Sequence, residues 1–457
     1  MTSERKSLFI LPNELLLLIA SHLNNNIDCI HFASCCRRLH SLLLLQAYST
    51  IELGRQSPRP LSLLARSVIQ NPKLGHAIRV LSLGGDPEDL SRRSSDHPAV
   101  VYDPEIIEPV LEEVCQNKVQ RQEMEEGLKK GDEDDAWLVL MSPFLLNIEK
   151  LHLNFPAYPF PISRMLDISP GKFKSVDAIS PFSSLTEVSI TATDDDEDGL
   201  VSAVWHLFGL SSLRKFTGYG ILESDEDKDF MAWTDVKDKA SGFSAVTHIE
   251  FRTSYSEYGF PYLVRACAEL KSFIYENCAD DFDRRLYSAD FYPGLCAHRG
   301  TLEELTLISL PDYFDRDEAE DLWFGSMADF IVLKRVRMRA ANLLGPDDVP
   351  LVGHLPPSLE SLCITDAADV SQRVLAKHLK SLVSVAATQY PHLAQIRIEN
   401  PLDEGTRDDW ALESMFRGYA ALARLKRVCR AAGIDFCIAN WDHKANCWRE
   451  RYRTSDS

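Results

Sequence analysis

The residues most able to do chemistry are few. His31, Cys35, Cys36 and His40 lie in one short run and are of the types that bind zinc. Adjacent cysteines do not easily share a tetrahedral ion, and the run falls in a helical pattern, so no metal is expected there. Cys437, His443 and Cys447 make a looser C-terminal set with no obvious fourth ligand. No cofactor is expected either. Neither Gly-x-Ser-x-Gly, nor a glycine-rich phosphate loop ending in Lys-Ser/Thr, nor His-Glu-x-x-His occurs. Gly218-Tyr219-Gly220 lacks the third glycine of a dinucleotide loop. No cysteine stands in a context that would activate its thiolate. The remaining signal is a set of arginines: Arg335, Arg337 and Arg339 alternate along one stretch, and Arg397 follows. Guanidinium forks suit carboxylate or phosphate, which makes the four a candidate anion-reading patch. Like charges about 7 Å apart on a strand repel by only about 0.6 kcal/mol in water, so the row is tolerable alone. The alternative is pairing with Glu304 and Glu399 on neighbouring strands.

The elements that must position these arginines recur. The pattern apolar-x-x-apolar-x-apolar appears at Ile78-Leu81-Leu83, Ile148-Leu151-Leu153, Leu185-Val188-Ile190 and Val246-Ile249-Phe251. It continues at Leu270-Phe273-Tyr275, Leu302-Leu305-Leu307, Leu333-Val336-Met338, Leu359-Leu362-Ile364 and Leu393-Ile396-Ile398, with a weaker copy at Leu213-Phe216-Gly218. The mean spacing from Ile148 onward is about 31 residues, in the range of solenoid repeats. The alternation predicts a strand whose second and third apolar residues point inward. Helical stretches lie between copies, at Glu318 to Ile331, Ser371 to Ala387 and Asp409 to Ala432, the last ended by Gly433. Ile434-x-Phe436-x-Ile438 reads as a closing strand. Stacked in order, these units predict a curved parallel sheet with helices outside.

This array resembles an irregular leucine-rich repeat solenoid. Regular members place Asn or Cys three positions after the third apolar residue, and only Cys278 meets that, so most of the stacking polar ladder is missing. Uneven connections are expected. The interval from Ile78 to Ile148 spans about two periods and includes a helical run from Pro104 to Lys130, read as an insertion.

Ahead of the array, Leu15, Leu16, Leu18, Ile19 and Leu23 follow Pro12 at helical spacing, and Asn24 to Asn26 mark a stop. A second helix carries Ile30, Phe32 and Ala33, and a third carries Leu39, Leu42, Leu43 and Leu45. Three short helices cannot bury this much leucine against one another, and leftover apolar surface points to a partner. The order Leu11-Pro12-x-Glu14-Leu15-Leu16-x-x-Ile19-x-x-x-Leu23, Asp28-x-Ile30 and Cys36-Arg37-x-Leu39-x-x-Leu42 resembles an F-box. The resemblance implies docking on the Skp-type adaptor of a Skp–cullin–F-box ubiquitin ligase. Leu11, Pro12, Leu15, Leu16, Ile19 and Leu23 would then form the adaptor interface or its supporting core. The array would hold an unidentified protein client, with Arg335, Arg337, Arg339 and Arg397 reading an acidic or phosphorylated segment.

The expected fold class is α/β: a three-helix F-box-like module followed by an irregular leucine-rich-repeat-like β/α solenoid. The expected boundaries are a flexible start (1–8), the module (9–53), a linker (54–73), the solenoid (74–440, insertion about 86–140) and a tail (441–457). The expected function is a non-catalytic adaptor. The rival is a repeat scaffold whose first helices only cap the array, with no ubiquitin role.

Composition bounds both. The chain has 457 residues, 45% of them hydrophobic, and a formal charge of −19. That charge argues against nonspecific binding to nucleic acid or anionic membrane. No apolar run is long enough to span a bilayer, and no clean secretory signal opens the chain. Eleven cysteines without framework spacing read as reduced thiols, hence a cytoplasmic or nuclear location. Acidic runs at Asp194 to Asp198, Glu223 to Asp229 and Asp280 to Asp283 are expected along one rim, chiefly as solvated loops.

Overall fold

The computed structural model describes residues 10–23, 26–53, 59–84, 102–115, 117–130, 134–155, 182–192, 201–223, 241–256, 259–277, 288–309, 323–344, 350–367, 370–399, 409–442 and 447–453. Nearly all of each acidic run lies outside them. The chain divides into two compact units, Met1–Asp194 with Leu210–Leu213, and Asp195–Gly209 with Arg214–Ser457.

The first unit opens with helices α1 (Asn13–Ser21), α2 (Asn26–Ser34) and α3 (Arg37–Ala47). Their shared core is Leu16, Ala20, Cys29, Ala33, Leu39, Leu43 and Ala47. Pro12 is the N-cap residue of α1, one position earlier than a first-turn proline, and its carbonyl accepts from the Leu16 N–H. Arg38 ties the start of α1 to α3, its Nη2 donating to the Leu11 carbonyl at 2.9 Å and to Asn13 Oδ1 at 2.8 Å.

Four parallel strands follow: β1 (Thr50–Leu53), β2 (Val80–Leu83), β3 (Lys150–Phe155) and β4 (Glu187–Ala192). Two of the expected boundaries shift within this unit. Strand β1 adds a repeat at the end of the expected module, with Ile51 opposite Leu81 and Leu53 opposite Leu83. The expected linker contains helix α4 (Arg59–Gln70), which buries Leu61, Leu64, Ala65 and Val68, and α5 (Pro72–Ala77) begins in its last residues. Strands β2 and β3 pair directly, so the long interval between them contributes helices α6 (Pro104–Val114), α7 (Lys118–Lys130) and α8 (Asp134–Met141). The expected single helical run is thus two helices, broken after Val114. Gly75 in α5 has no substitute: an added Cβ would lie 2.7 Å from the Phe144 carbonyl oxygen and 2.8 Å from Val68 Cγ1.

In the second unit, β5 (Lys215–Tyr219), β6 (His248–Ser254), β7 (Ser272–Asn277), β8 (Glu304–Ser309), β9 (Arg335–Arg339), β10 (Ser361–Thr365), β11 (Gln395–Glu399) and β12 (Asp435–Asp442) pair in order, all parallel. The expected tail continues the sheet instead: β13 (Cys447–Arg453) turns back antiparallel on β12. Register places like position on like position. Phe216, Ile249, Phe273, Leu305, Val336, Leu362, Ile396 and Phe436 form one buried row. Helices α9 (Val201–Phe208), α10 (Gly259–Ala266) and α11 (Ser288–Leu295) are in this unit. Aromatic contacts bind helix to sheet: Phe260 of α10 stacks on Phe251 at 3.8 Å, and Phe291 of α11 meets Phe273 and Tyr275. Burying each such side chain is worth about 1.5–3 kcal/mol.

Connections are uneven, as the array's irregularity predicts. Helix α12 (Ala340–Leu343) has four residues, whereas α13 (Gln372–Gln389) and α14 (Asp409–Ala431) have 18 and 23. The helix expected over Glu318 to Ile331 is absent from its described part, since residues 323–331 form turns and irregular chain. Gly325 there has φ +122°, a conformation that favours glycine, and an added Cβ would also lie 2.7 Å from the Tyr292 ring. Gly433 ends α14 with φ +73°.

A backbone ladder at the strand starts does the stacking work of the missing side-chain ladder. The residue after the first apolar position offers its carbonyl to two consecutive N–H groups of the next repeat. Arg79 accepts from Glu149 and Lys150 at 2.7 and 3.0 Å, and Glu149 from Thr186 and Glu187 at 2.8 and 3.1 Å. In the second unit Lys271 accepts from Glu303 and Glu304 (2.7, 3.1 Å), Glu303 from Lys334 and Arg335 (2.9, 3.1 Å), and Lys334 from Glu360 and Ser361 (2.8, 3.0 Å).

One buried histidine joins neighbouring repeats. His298 Nε2 donates to the Val264 carbonyl at 3.0 Å, and its Nδ1 accepts from the Leu270 N–H at 3.3 Å. The Leu270 bond requires the neutral ring, since a protonated Nδ1 has no lone pair to accept with, whereas the Val264 bond survives protonation. Burial pushes the ring's pKa below the ordinary 6.5, partly opposed by the Val264 bond. The unfolded chain therefore binds the proton more readily, so this contribution is full above 6.5 and is lost as pH falls from there through the folded value. His298→Ala should cost about 1–3 kcal/mol at pH 7.5 and flatten the fall in urea-unfolding stability between about pH 7 and 5.

Candidate functional site

Two surfaces emerge, one in each unit. In the first unit the helices close a core and leave apolar side chains outside it. Leu15 and Leu18, three apart on one face of α1, are 45% and 53% exposed, and Ile27 and Ile30 of α2 are 56% and 47% exposed. Leu45 of α3 and Ile10 are also exposed. The six expected interface residues divide. Leu16 is wholly buried, Leu11 and Leu23 pack partly buried against the same core, and Ile19 is half-buried. Only Leu15 and Pro12 face outward. Leu17, Ile27 and Ile10 also stay open, since periodicity identifies an apolar face without saying which rim of it is exposed.

Two cysteines of this module make local hydrogen bonds. The Cys36 sulfur accepts from the Leu39 N–H at 3.4 Å and caps α3, and the Cys35 thiol donates to the His31 carbonyl at 3.3 Å. Among the described residues no group of three or more His, Cys, Asp or Glu is placed to hold a metal ion. His443 lies outside them. No described helix is long and apolar enough to cross a membrane.

In the second unit the face of the sheet opposite the helices carries the arginines. Register sets Arg337 in one outward row with Thr306, Cys363 and Arg397. Each of the four arginines is engaged by a carboxylate, as in the pairing alternative, and each keeps part of its side chain exposed. Arg335 Nη2 meets Glu304 at 3.2 Å, Arg337 Nη2 meets Glu399 at 2.9 Å, Arg339 Nε lies 3.5 Å from Asp366, and Arg397 Nε meets Glu399 at 2.7 Å. Glu399, its side chain 5% exposed, thus holds two guanidiniums. Cys363 lies between them, its thiol pushed up to about 12 by burial and by Glu399. It is protonated and inert at neutral pH. Arg252 reverses the pattern, held by Glu250 at 2.8 Å and Glu276 at 3.1 Å. Beside the strand starts a groove is lined by Lys271, Glu303, Ile331, Lys334, Glu360 and His392, with Glu303 and Lys334 paired at 2.9 Å.

A family model described as leucine-rich repeat domain matches residues 55–432, most of the chain. The chain belongs to the leucine-rich repeat domain family. The strands and their register are the repeat scaffold of that family, an architecture suited to protein interaction. The match begins after the N-terminal helices, and no F-box family match accompanies it. No curated protein matches the chain.

The pairing geometry separates the arginines energetically. Glu399→Gln strips the charge from a buried carboxylate holding two cations and should cost on the order of 3 kcal/mol in urea unfolding. Arg335→Ala, at an exposed pair, should stay within about 1 kcal/mol. Equal costs would refute the ranking.

Proposed function

We propose that this leucine-rich repeat protein is a substrate-recognition adaptor of a Skp–cullin–F-box type ubiquitin ligase. Helices α1–α3 dock on the Skp-type adaptor, and the repeat array holds a client protein. The chain does no bond chemistry of its own. It raises the client's effective concentration near a ubiquitin-loaded enzyme.

The observation that carries this reading is the open apolar rim of a module whose core is already closed. Leu15, Leu18, Ile27 and Ile30 are each about half exposed, so covering them yields on the order of 1 kcal/mol apiece. The F-box-like order of residues supplies the partner.

The rival reading, in which the helices cap the array, is supported by continuity. Helix α3 ends at Ala47, β1 starts at Thr50, and the Ser49 carbonyl accepts from Arg79 and Val80. One experiment separates the two. Leu15→Asp with Leu18→Asp should leave the melting curve within a few degrees of the parent and reduce co-purification with the Skp-type adaptor about 100-fold. Leu16→Asp, inside the core, should unfold the module. Undiminished co-purification of the Leu15/Leu18 variant refutes the interface, and absence of adaptor from the parent preparation favours the cap.

A further inference from the structure

The sheet face opposite the described helices carries its charges in an order. Outward positions past the strand starts hold Glu250, Arg252 and Glu276 on β6 and β7, two carboxylates about one guanidinium. Strand β8 places uncharged Thr306 and Ile308 there. Next come Arg337, Arg339 and Arg397 on β9 and β11, with Glu399 and with Asp366 just past β10. Counted by side chain, the first group carries one surplus negative charge and the second one surplus positive charge. At the strand starts Glu304 and Arg335 cancel, while Lys215 on β5 and Asp435 on β12 stand at the flanks.

We propose that this face selects an extended client segment by charge order, lying across the strands with basic side chains over Glu250 and Glu276 and acidic ones over Arg337 and Arg397. The two groups are centred about three and a half strands apart, roughly 17 Å, which an extended chain covers in about five residues. Arg252, Glu250, Arg337 and Arg397 retain 40%, 25%, 29% and 23% of their side-chain exposure, so an incoming charge reaches them. A carboxylate accepts more than one hydrogen bond and a guanidinium has five donors, so internal pairing leaves capacity for a ligand. Tyr219, opposite Arg252 in register and half-exposed, adds an aromatic ring beside the basic subsite. The inference rests on the array being the client-binding part and is independent of adaptor docking.

The test is fluorescence anisotropy of the full chain with labelled synthetic peptides. One carries two lysines and two glutamates separated by about five Ser/Thr residues, and an isomer of identical composition interleaves the charges. The block peptide should bind at least about tenfold tighter than the isomer at about 50 mM NaCl, and the preference should vanish at about 500 mM. Glu250→Gln with Glu276→Gln should abolish it, with circular dichroism confirming the fold. If that variant does not fold, the salt dependence of the unaltered protein decides. Equal affinity for both isomers, a preference that survives high salt or the Gln variant, or no binding of any peptide at about 1 mM overturns the charge order. Each of those results leaves the adaptor co-purification result standing.

Discussion

Everything in this molecule depends on one constraint: successive repeats start at the same level. A single carbonyl accepting from two consecutive N–H groups of the next repeat locks that level. Thr247, Lys271, Glu303, Lys334 and Glu360 repeat the arrangement down the second unit. Once the level is locked, period-two alternation delivers apolar side chains to one face of every strand. A slip of one residue would send Leu305 and Leu307 to the solvent face and bring Thr306 into the core. Backbone groups serve any side chain, so this device tolerates Arg, Glu, Lys and Thr at the ladder position. That tolerance explains how a solenoid persists without the usual asparagine.

The same register imposes a cost on the other face. Side chains at equivalent positions of adjacent strands sit about 4.8 Å apart, where like unit charges repel by about 0.9 kcal/mol in water and several-fold more when half-buried. A column of arginines is therefore unstable as a column. Thr306 and Cys363 dilute Arg337 and Arg397 along their row, and Glu399 reaches both cations from the next row. Charge order on this face is thus a requirement of folding before it is a means of recognition.

The architecture was legible in the sequence because it is written in buried positions. The apolar triplets became strands, and the positions named as inward are buried apart from Leu83, which is only partly so. What was misread depended on contacts rather than pattern. Tyr48-x-x-Ile51-x-Leu53 fits the repeat, yet it falls within the expected bounds of the module (9–53) and pairs with the next strand. The span from Glu318 ends in irregular chain, where Gly325 packs on Tyr292 across repeats. Pairing of the arginines with Glu304 and Glu399 was legible as an alternative once the strands were placed, although Glu399 lies 62 residues from Arg337 and the register of β9 to β11 brings them together. Leu15 and Leu16 are indistinguishable as letters. The packing of α3 on α1 decides which of them is core.

Weak, ordered charge contacts and an open apolar rim suit different tasks. Apolar burial is nearly indifferent to salt and pH, and it favours a long-lived partner. Half-exposed ion pairs contribute little net affinity, because a ligand charge must displace water from groups already paired. They discriminate instead, since a segment with the wrong charge order meets repulsion at both ends. A protein joining the two surfaces would hold one partner persistently and sample others briefly. That division follows from the physical character of Leu15, Leu18, Ile27 and Ile30 on one unit and of Glu250, Arg252, Arg337 and Arg397 on the other.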